Sequence, residues 1–209
     1  MFSDHLTLNR AIVCASALVY WAGVYVQTRR IRRRIGRSPN VKPRGRKERL
    51  LWGGWAVVVI TWLALPFVAG TDQSWSGLRL IPSLSGPLAL FFGVLLTIGG
   101  YAGTLWCYVA MGNAWRMGVN RSEKTLLVTR GPFQWVRHPI YLFQVIMLAG
   151  TVLLLPTLVS LWILVVHLTC LVVKAADEED YLRRVHGEDY DNYVSRTGRF
   201  LPRLQSILR

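Results

Sequence analysis

The sequence predicts an all-α, polytopic membrane protein with about five transmembrane helices. Three observations carry that expectation. Apolar residues make up 52% of the 209 positions and charged residues only 17%. The charges are gathered into a few stretches, which leaves long segments with none. A chain of this length cannot build a core large enough to hide several such segments, so a bilayer must receive them.

The first apolar region covers about 6–27, with Arg10 near its outer end. Positive charges follow it instead of preceding it, and no small-residue cleavage site appears. It is therefore expected to stay as a span and not to leave as a signal peptide. Next comes a basic stretch: Arg29, Arg30, Arg32, Arg33 and Arg34, continuing through Arg37, Lys42, Arg44, Arg46, Lys47 and Arg49. It holds most of the formal net charge of +14. Its place between two apolar segments makes it a juxtamembrane loop facing membrane lipids, and nucleic acid is not expected as a partner.

The second region, 50–70, is uncharged and long enough for a bilayer core of about 30 Å. The third, 81–112, is longer than one crossing needs. Pro82 and Pro87 mark its start, because proline is best tolerated in a first helical turn. Its Gly99, Gly100 and Gly103 offer a close-packing face to a neighbouring helix. The loop before it carries only Asp72 and Arg79.

The fourth region, 139–173, has no formal charge, and as one helix it would measure about 50 Å. Pro156 falls near its middle, so the stretch reads as a helical hairpin of two short spans, 139–155 and 157–176. Cys14, Cys107 and Cys170 each lie in an apolar stretch without metal-ligand spacing, and they read as core-filling thiols. No metal site is expected. The basic stretch sets the topology: 29–49 faces the cytoplasm, and with five spans so do 113–138 and the tail after Lys174. Two parts follow, membrane helices with a basic loop at 1–112 and a functional core at 113–209.

Two polar clusters flank the hairpin. In the first, Gly131-Pro132 makes a turn, and Pro139 fits the first turn of the next helix. That puts Arg137, His138 and Tyr141 where a helix enters the membrane, beside amides that favour an anionic group. The second cluster is Asp177-Glu178-Glu179-Asp180-Tyr181-Leu182, followed by His186-Gly187-Glu188-Asp189-Tyr190-Asp191-Asn192-Tyr193, with Arg196 and Arg199 beyond. Carboxylates where a helix leaves the bilayer are costly and usually functional. Gly187 ends a helix. Taken singly these residues have plain readings: His138 as a helix cap, Tyr190 and Tyr193 as an interfacial belt, and His167 as a hydrogen-bonded packing residue in an apolar span.

The order Gly-Pro-Phe at 131–133, Arg-His-Pro-Ile-Tyr at 137–141, a hydrophobic hairpin, Glu-Glu at 178–179 and His-Gly-Glu-Asp-Tyr-Asp-Asn-Tyr at 186–193 resembles the isoprenylcysteine carboxyl methyltransferase family. That family is related to the membrane phospholipid methyltransferases. The resemblance covers about 112–203, and Trp115-Arg116-Met117-Gly118-Val119 also looks like bacterial members. His186 stands where a phenylalanine is usual.

The resemblance implies an S-adenosyl-L-methionine pocket facing the cytoplasm in a bacterial inner membrane. Its implied cofactor-binding residues are Val128, Gly131, Pro132, Arg137, His138, Pro139, Tyr141, Glu178, Glu179, Leu182, Tyr190 and Tyr193. One of Glu178 and Glu179 is expected to face the cofactor, since adjacent helical residues diverge by about 100°. Arg196 or Arg199 is expected to orient an acceptor carboxylate. The acceptor would be a lipophilic small molecule or a lipidated chain reaching the pocket sideways from the bilayer. A phospholipid amine N-methyltransferase, an NADPH-dependent sterol-type reductase and a non-catalytic scaffold are the other readings.

Overall fold

The computed structural model describes residues 2–36, 43, 45–70, 75–115 and 126–203. Arg37, Lys42, Arg44, Asp72 and residues 116–119 lie outside the described residues. Among the described residues six α-helices follow in order: α1 (Phe2–Ile35), α2 (Arg46–Val68), α3 (Pro87–Met111), α4 (Pro139–Leu154), α5 (Leu158–His186) and α6 (Glu188–Arg196). Among the described residues there is no strand, only an isolated parallel bridge between Val136 and Gly198. The chain is an all-α polytopic membrane protein.

By length and composition, α1, α2, α3 and α5 are long and apolar enough to cross a membrane. The fifth apolar helix, α4, has 16 residues and so is about 24 Å long. It still traverses the molecule. Its N-terminus sits beside Glu178, while at its other end the Leu154 carbonyl accepts from Asn9 Nδ2 at 2.9 Å. Arg10 beside it donates to the Ala69 carbonyl at the end of α2, from Nε at 3.1 Å. Two polar side chains of α1 thus occupy carbonyls that helix C-termini leave without partners. The hairpin turns at Pro156, whose carbonyl accepts from Ile81 N at 2.7 Å. Thr157 and Ser160 then form a reciprocal cap that starts α5.

Three sequence expectations need correction. The arginines at 29–34 are helical and not a loop, because arginine is a good helix former and the first breaker is Gly36, at φ 72°. The second arm of the hairpin does not stop at 176. It continues through the acidic cluster to His186, where Gly187, at φ 54°, ends it. Pro82 starts only a single turn, and Pro87 is the first residue of α3.

The close-packing face is real but narrower than the glycine run. The most extensive helix contact is α3 against α4. A Cβ on Gly100 would lie 2.6 Å from the Phe143 carbonyl oxygen, and one on Gly103 would lie 2.2 Å from the Phe143 ring. Around Gly99 there is open space.

Candidate functional site

The segment before α4 is held from both directions. Arg130 Nε donates to the Ala110 carbonyl at 3.0 Å, and Gly131 takes φ 63° against Ala110, where a Cβ would come within 2.9 Å. Downstream, Gly198 N donates to Trp135 O at 3.1 Å, Arg137 N to Gly198 O at 2.8 Å, and His138 N to Arg199 O at 3.1 Å. The tail beyond α6 is thereby fastened alongside residues 135–138. Tyr193 locks the same union, its hydroxyl donating to Phe133 O at 2.6 Å.

His138 occupies the capping position of α4, yet its side chain makes no cap. The imidazole instead stacks on Tyr141, with ring centroids 5.5 Å apart and planes 10° apart. Its Nε2 lies 3.3 Å from Glu179 Oε1 and its Nδ1 3.6 Å from Glu178 Oε2. The helix-cap reading is therefore replaced by a ring held between two consecutive carboxylates.

Those carboxylates diverge as their helical spacing requires. Glu179 is buried and receives Arg137 Nε at 2.9 Å, while Arg199 Nε lies 3.1 Å from both its oxygens. Arg137 also donates from Nη1 to Thr197 O at 2.6 Å. Glu178 faces the other way, accepts from the Tyr141 hydroxyl at 2.9 Å, and lines a cavity.

That cavity has a volume of about 540 Å³, within the range of small-molecule sites. Of the residues named from the sequence, it brings together Val128, Arg137, His138, Pro139, Tyr141, Glu178, Leu182, Tyr190 and Tyr193. Gly131, Pro132, Glu179, Arg196 and Arg199 do not line it. Gly131 and Pro132 shape the turn behind the wall, and Glu179 and Arg199 form the ion cluster. Arg196 is exposed and outside the cavity, with Nε donating to Asn192 O of its own helix, α6, at 3.1 Å. Tyr190 and Tyr193 are buried in the protein, which overturns the belt reading. Burial pushes both phenols above their usual pKa range and keeps them protonated donors. The Tyr190 hydroxyl is buried and has no hydrogen-bond partner among the described residues.

The sequence reading missed the wall supplied by the first half of the chain. Trp52, Trp55, Val59 and Trp62 of α2 line the cavity, as do Tyr20, Trp21 and Val24 of α1. The spacing on α2 is a helical stripe that could have been read. Nothing in the sequence said what it faced. Trp55 meets Tyr141 at 6.3 Å between ring centroids, and Lys47 bonds Asp177 at 2.6 Å. The basic end of α2 and the polar site therefore share one end of the molecule. Among the described residues, no three His, Cys, Asp or Glu side chains gather in a group that could hold a metal ion.

A family model described as phospholipid methyltransferase matches residues 88–189, just under half of the chain. The match begins at α3 and contains the 131–141 segment, the hairpin and Glu178–Glu179. It supports a membrane methyltransferase. The chain is 27% identical over 152 residues to the nickel-cobalt-cadmium resistance protein NccN of Alcaligenes xylosoxydans xylosoxydans, an alignment covering 73% of this chain and 64% of that one. It is 26% identical over 152 residues to the cobalt-zinc-cadmium resistance protein CzcN of Cupriavidus metallidurans, covering 73% and 63%. The aligned part thus spans less than two thirds of either relative's length.

Proposed function

We propose that the protein is an S-adenosyl-L-methionine-dependent methyltransferase that methylates a lipophilic acceptor, with the cofactor at the polar mouth of the cavity and the acceptor in its aromatic interior. The observation that carries this reading is the junction itself. Glu178, braced by Tyr141 and His138, stands in the wall of a cavity that is otherwise mostly aromatic and aliphatic, with Arg137, Gln144 and His167 as its further polar members.

The residues fit the cofactor's chemistry. Its ammonium and ribose hydroxyls call for a carboxylate, and Glu178 points into the cavity. Its cationic sulfur favours aromatic faces, which Tyr141, Trp55 and Tyr181 present. When bound, S-adenosyl-L-methionine supplies a methyl group activated by the positive sulfur. The protein's own part is positioning and exclusion of water. Arg137 and His138 hold Glu179, which fixes the backbone from which Glu178 projects, and the buried aromatic wall keeps the interior dry. The basic end of α2 lies at the same end as the site, and this supports a cytoplasmic mouth.

The resemblance to the carboxyl methyltransferases favours a carboxylate acceptor, which is ionised at neutral pH and needs no base. An amine acceptor is favoured by a different observation. Arg137 is the one Lys or Arg among the described lining residues, and it is already bonded to Glu179 and Thr197, which leaves no free cation among them for an acceptor carboxylate.

Calorimetric titration of the detergent-purified protein with S-adenosylhomocysteine tests the reading. Saturable binding that a Glu178→Gln variant weakens is the expected result. A folded wild-type protein that takes up no S-adenosylhomocysteine overturns it. Incubation with methyl-labelled cofactor and either isoprenylcysteine or phosphatidylethanolamine then separates the carboxylate from the amine acceptor.

A further inference from the structure

The chain beyond α6 is tied to the polar site at every residue from 197 to 200. Thr197 O accepts from Arg137 Nη1 at 2.6 Å. Gly198 N donates to Trp135 O, Gly198 O accepts from Arg137 N, and Arg199 O accepts from His138 N at 3.1 Å. The course of this tail leaves no freedom at Gly198, where a Cβ would lie 1.7 Å from Leu201 O. Arg199 and Phe200 are thereby delivered to the back of the site, and neither lines the cavity.

From Arg199 a chain of polar contacts runs forward into the cavity. Its Nε lies 3.1 Å from both oxygens of Glu179, and its Nη2 adds a second bond to Oε2. Arg137 Nε and His138 Nε2 approach the other oxygen, Oε1, at 2.9 and 3.3 Å. Arg199 therefore holds Oε2 and keeps the carboxylate from turning about its last torsion, which is otherwise broad. The His138 ring is touched by Phe200, 5.8 Å between centroids, and its Nδ1 lies 3.6 Å from Glu178 Oε2. The Tyr141 hydroxyl holds Glu178 Oε1 at 2.9 Å. His138, Tyr141 and Glu178 line the cavity, while Glu179 and Arg199 stand behind them.

Stability does not account for the Arg199 contact. Its side chain is 42% exposed, and an ion pair so open to water contributes little to folding. Its effect is on geometry instead. Three donors converge on one carboxylate, so removing one changes the angles and charge balance that the other two meet. One of those two is the imidazole that faces Glu178.

We propose that Arg199 is a positioning residue: through Glu179 and His138 it sets the orientation in which Glu178 meets the cofactor, and the 197–200 tail is the strap that holds it there. The proposal rests on the methyltransferase reading for what Glu178 binds, and on the chain of contacts for the coupling. It differs from an acceptor-orienting role in its consequence. Loss of Arg199 is felt in cofactor affinity, before any acceptor is present.

The test is a double-mutant cycle on the full-length protein in detergent, titrated with S-adenosylhomocysteine and melted in parallel. Its four members are wild type, Arg199→Ala, Glu178→Gln and the double variant. Arg199→Ala should bind roughly fivefold more weakly than wild type while melting near it. In the Glu178→Gln background the same change should cost less than about twofold, because the group being positioned is gone. Arg199→Lys keeps a cation beside Glu179 without the planar fork, and should recover part of the lost affinity. Arg199→Gln serves if Arg199→Ala does not fold. Wild-type affinity in folded Arg199→Ala, or equal losses in the two backgrounds, overturns the positioning role alone. A folded wild-type protein that binds no S-adenosylhomocysteine overturns the methyltransferase reading, and the positioning role with it.

Discussion

Arg137 Nε donates to Glu179 Oε1 at 2.9 Å, in a pair whose side chains are 9% and 6% exposed. The bond joins the segment before α4 to the cytoplasm-side turns proposed for α5. A buried pair gains little over an apolar replacement, but removing one partner strands the other charge.

Glu179→Ala should therefore destabilise the protein by about 3 kcal/mol or more. Thermal unfolding in detergent reads this directly. A variant that melts with the wild type would show that water reaches Arg137. Arg199→Ala should cost much less, under about 1 kcal/mol, because that side chain is 42% exposed and the pair is partly screened.

Glu178→Gln should separate binding from folding. The residue is partly buried, accepts a hydrogen bond from Tyr141 and lies 3.6 Å from His138 Nδ1. Its melting temperature should stay near wild type, while S-adenosylhomocysteine affinity drops roughly tenfold or more, the loss of one charge-assisted hydrogen bond. Equal affinity would remove Glu178 from the cofactor site.

The α3–α4 contact can be tested with two neighbouring glycines. Gly100→Ala forces a methyl into the Phe143 carbonyl and Met147 amide, both under 2.8 Å away, and should cost about 1–3 kcal/mol. Gly99→Ala meets nothing within 4 Å and should be neutral or slightly stabilising, because alanine favours helix. Melting curves of the pair that coincide would refute the packing.

Tyr193→Phe removes the hydroxyl that Phe133 O accepts at 2.6 Å and leaves that carbonyl buried. A loss of about 1–2 kcal/mol is expected in the same melts. Arg196→Ala, on an exposed side chain bonded to Asn192 O within α6, should change stability by less than about 0.5 kcal/mol and leave S-adenosylhomocysteine binding intact. A tenfold weaker titration in that variant would return Arg196 to the site.

The membrane class, the hairpin at Pro156 and the neighbourhood of the polar site are legible in the residue order, because these follow from local composition. Uncharged runs have only the bilayer to enter, proline cannot continue a helix, and Arg137-His138-Pro139 and Glu178-Glu179 are short contiguous signals. Helix ends were less legible. The arginines of α1 and the acidic turns of α5 are polar in composition yet helical in conformation, and hydropathy reports only the first property.

Tertiary structure alone decided which side chains meet. That Glu178 faces the cavity while Glu179 binds Arg137, His138 and Arg199 depends on how α5 is rotated against α4, and a rotation is fixed by packing over the whole helix. The same holds for Trp52, Trp55 and Trp62. Their stripe is visible in the sequence, but only the approach of α2 to α5 and Tyr141 turned it into the wall of a cavity. Local spacing places residues on a helix face; long-range packing chooses what that face sees.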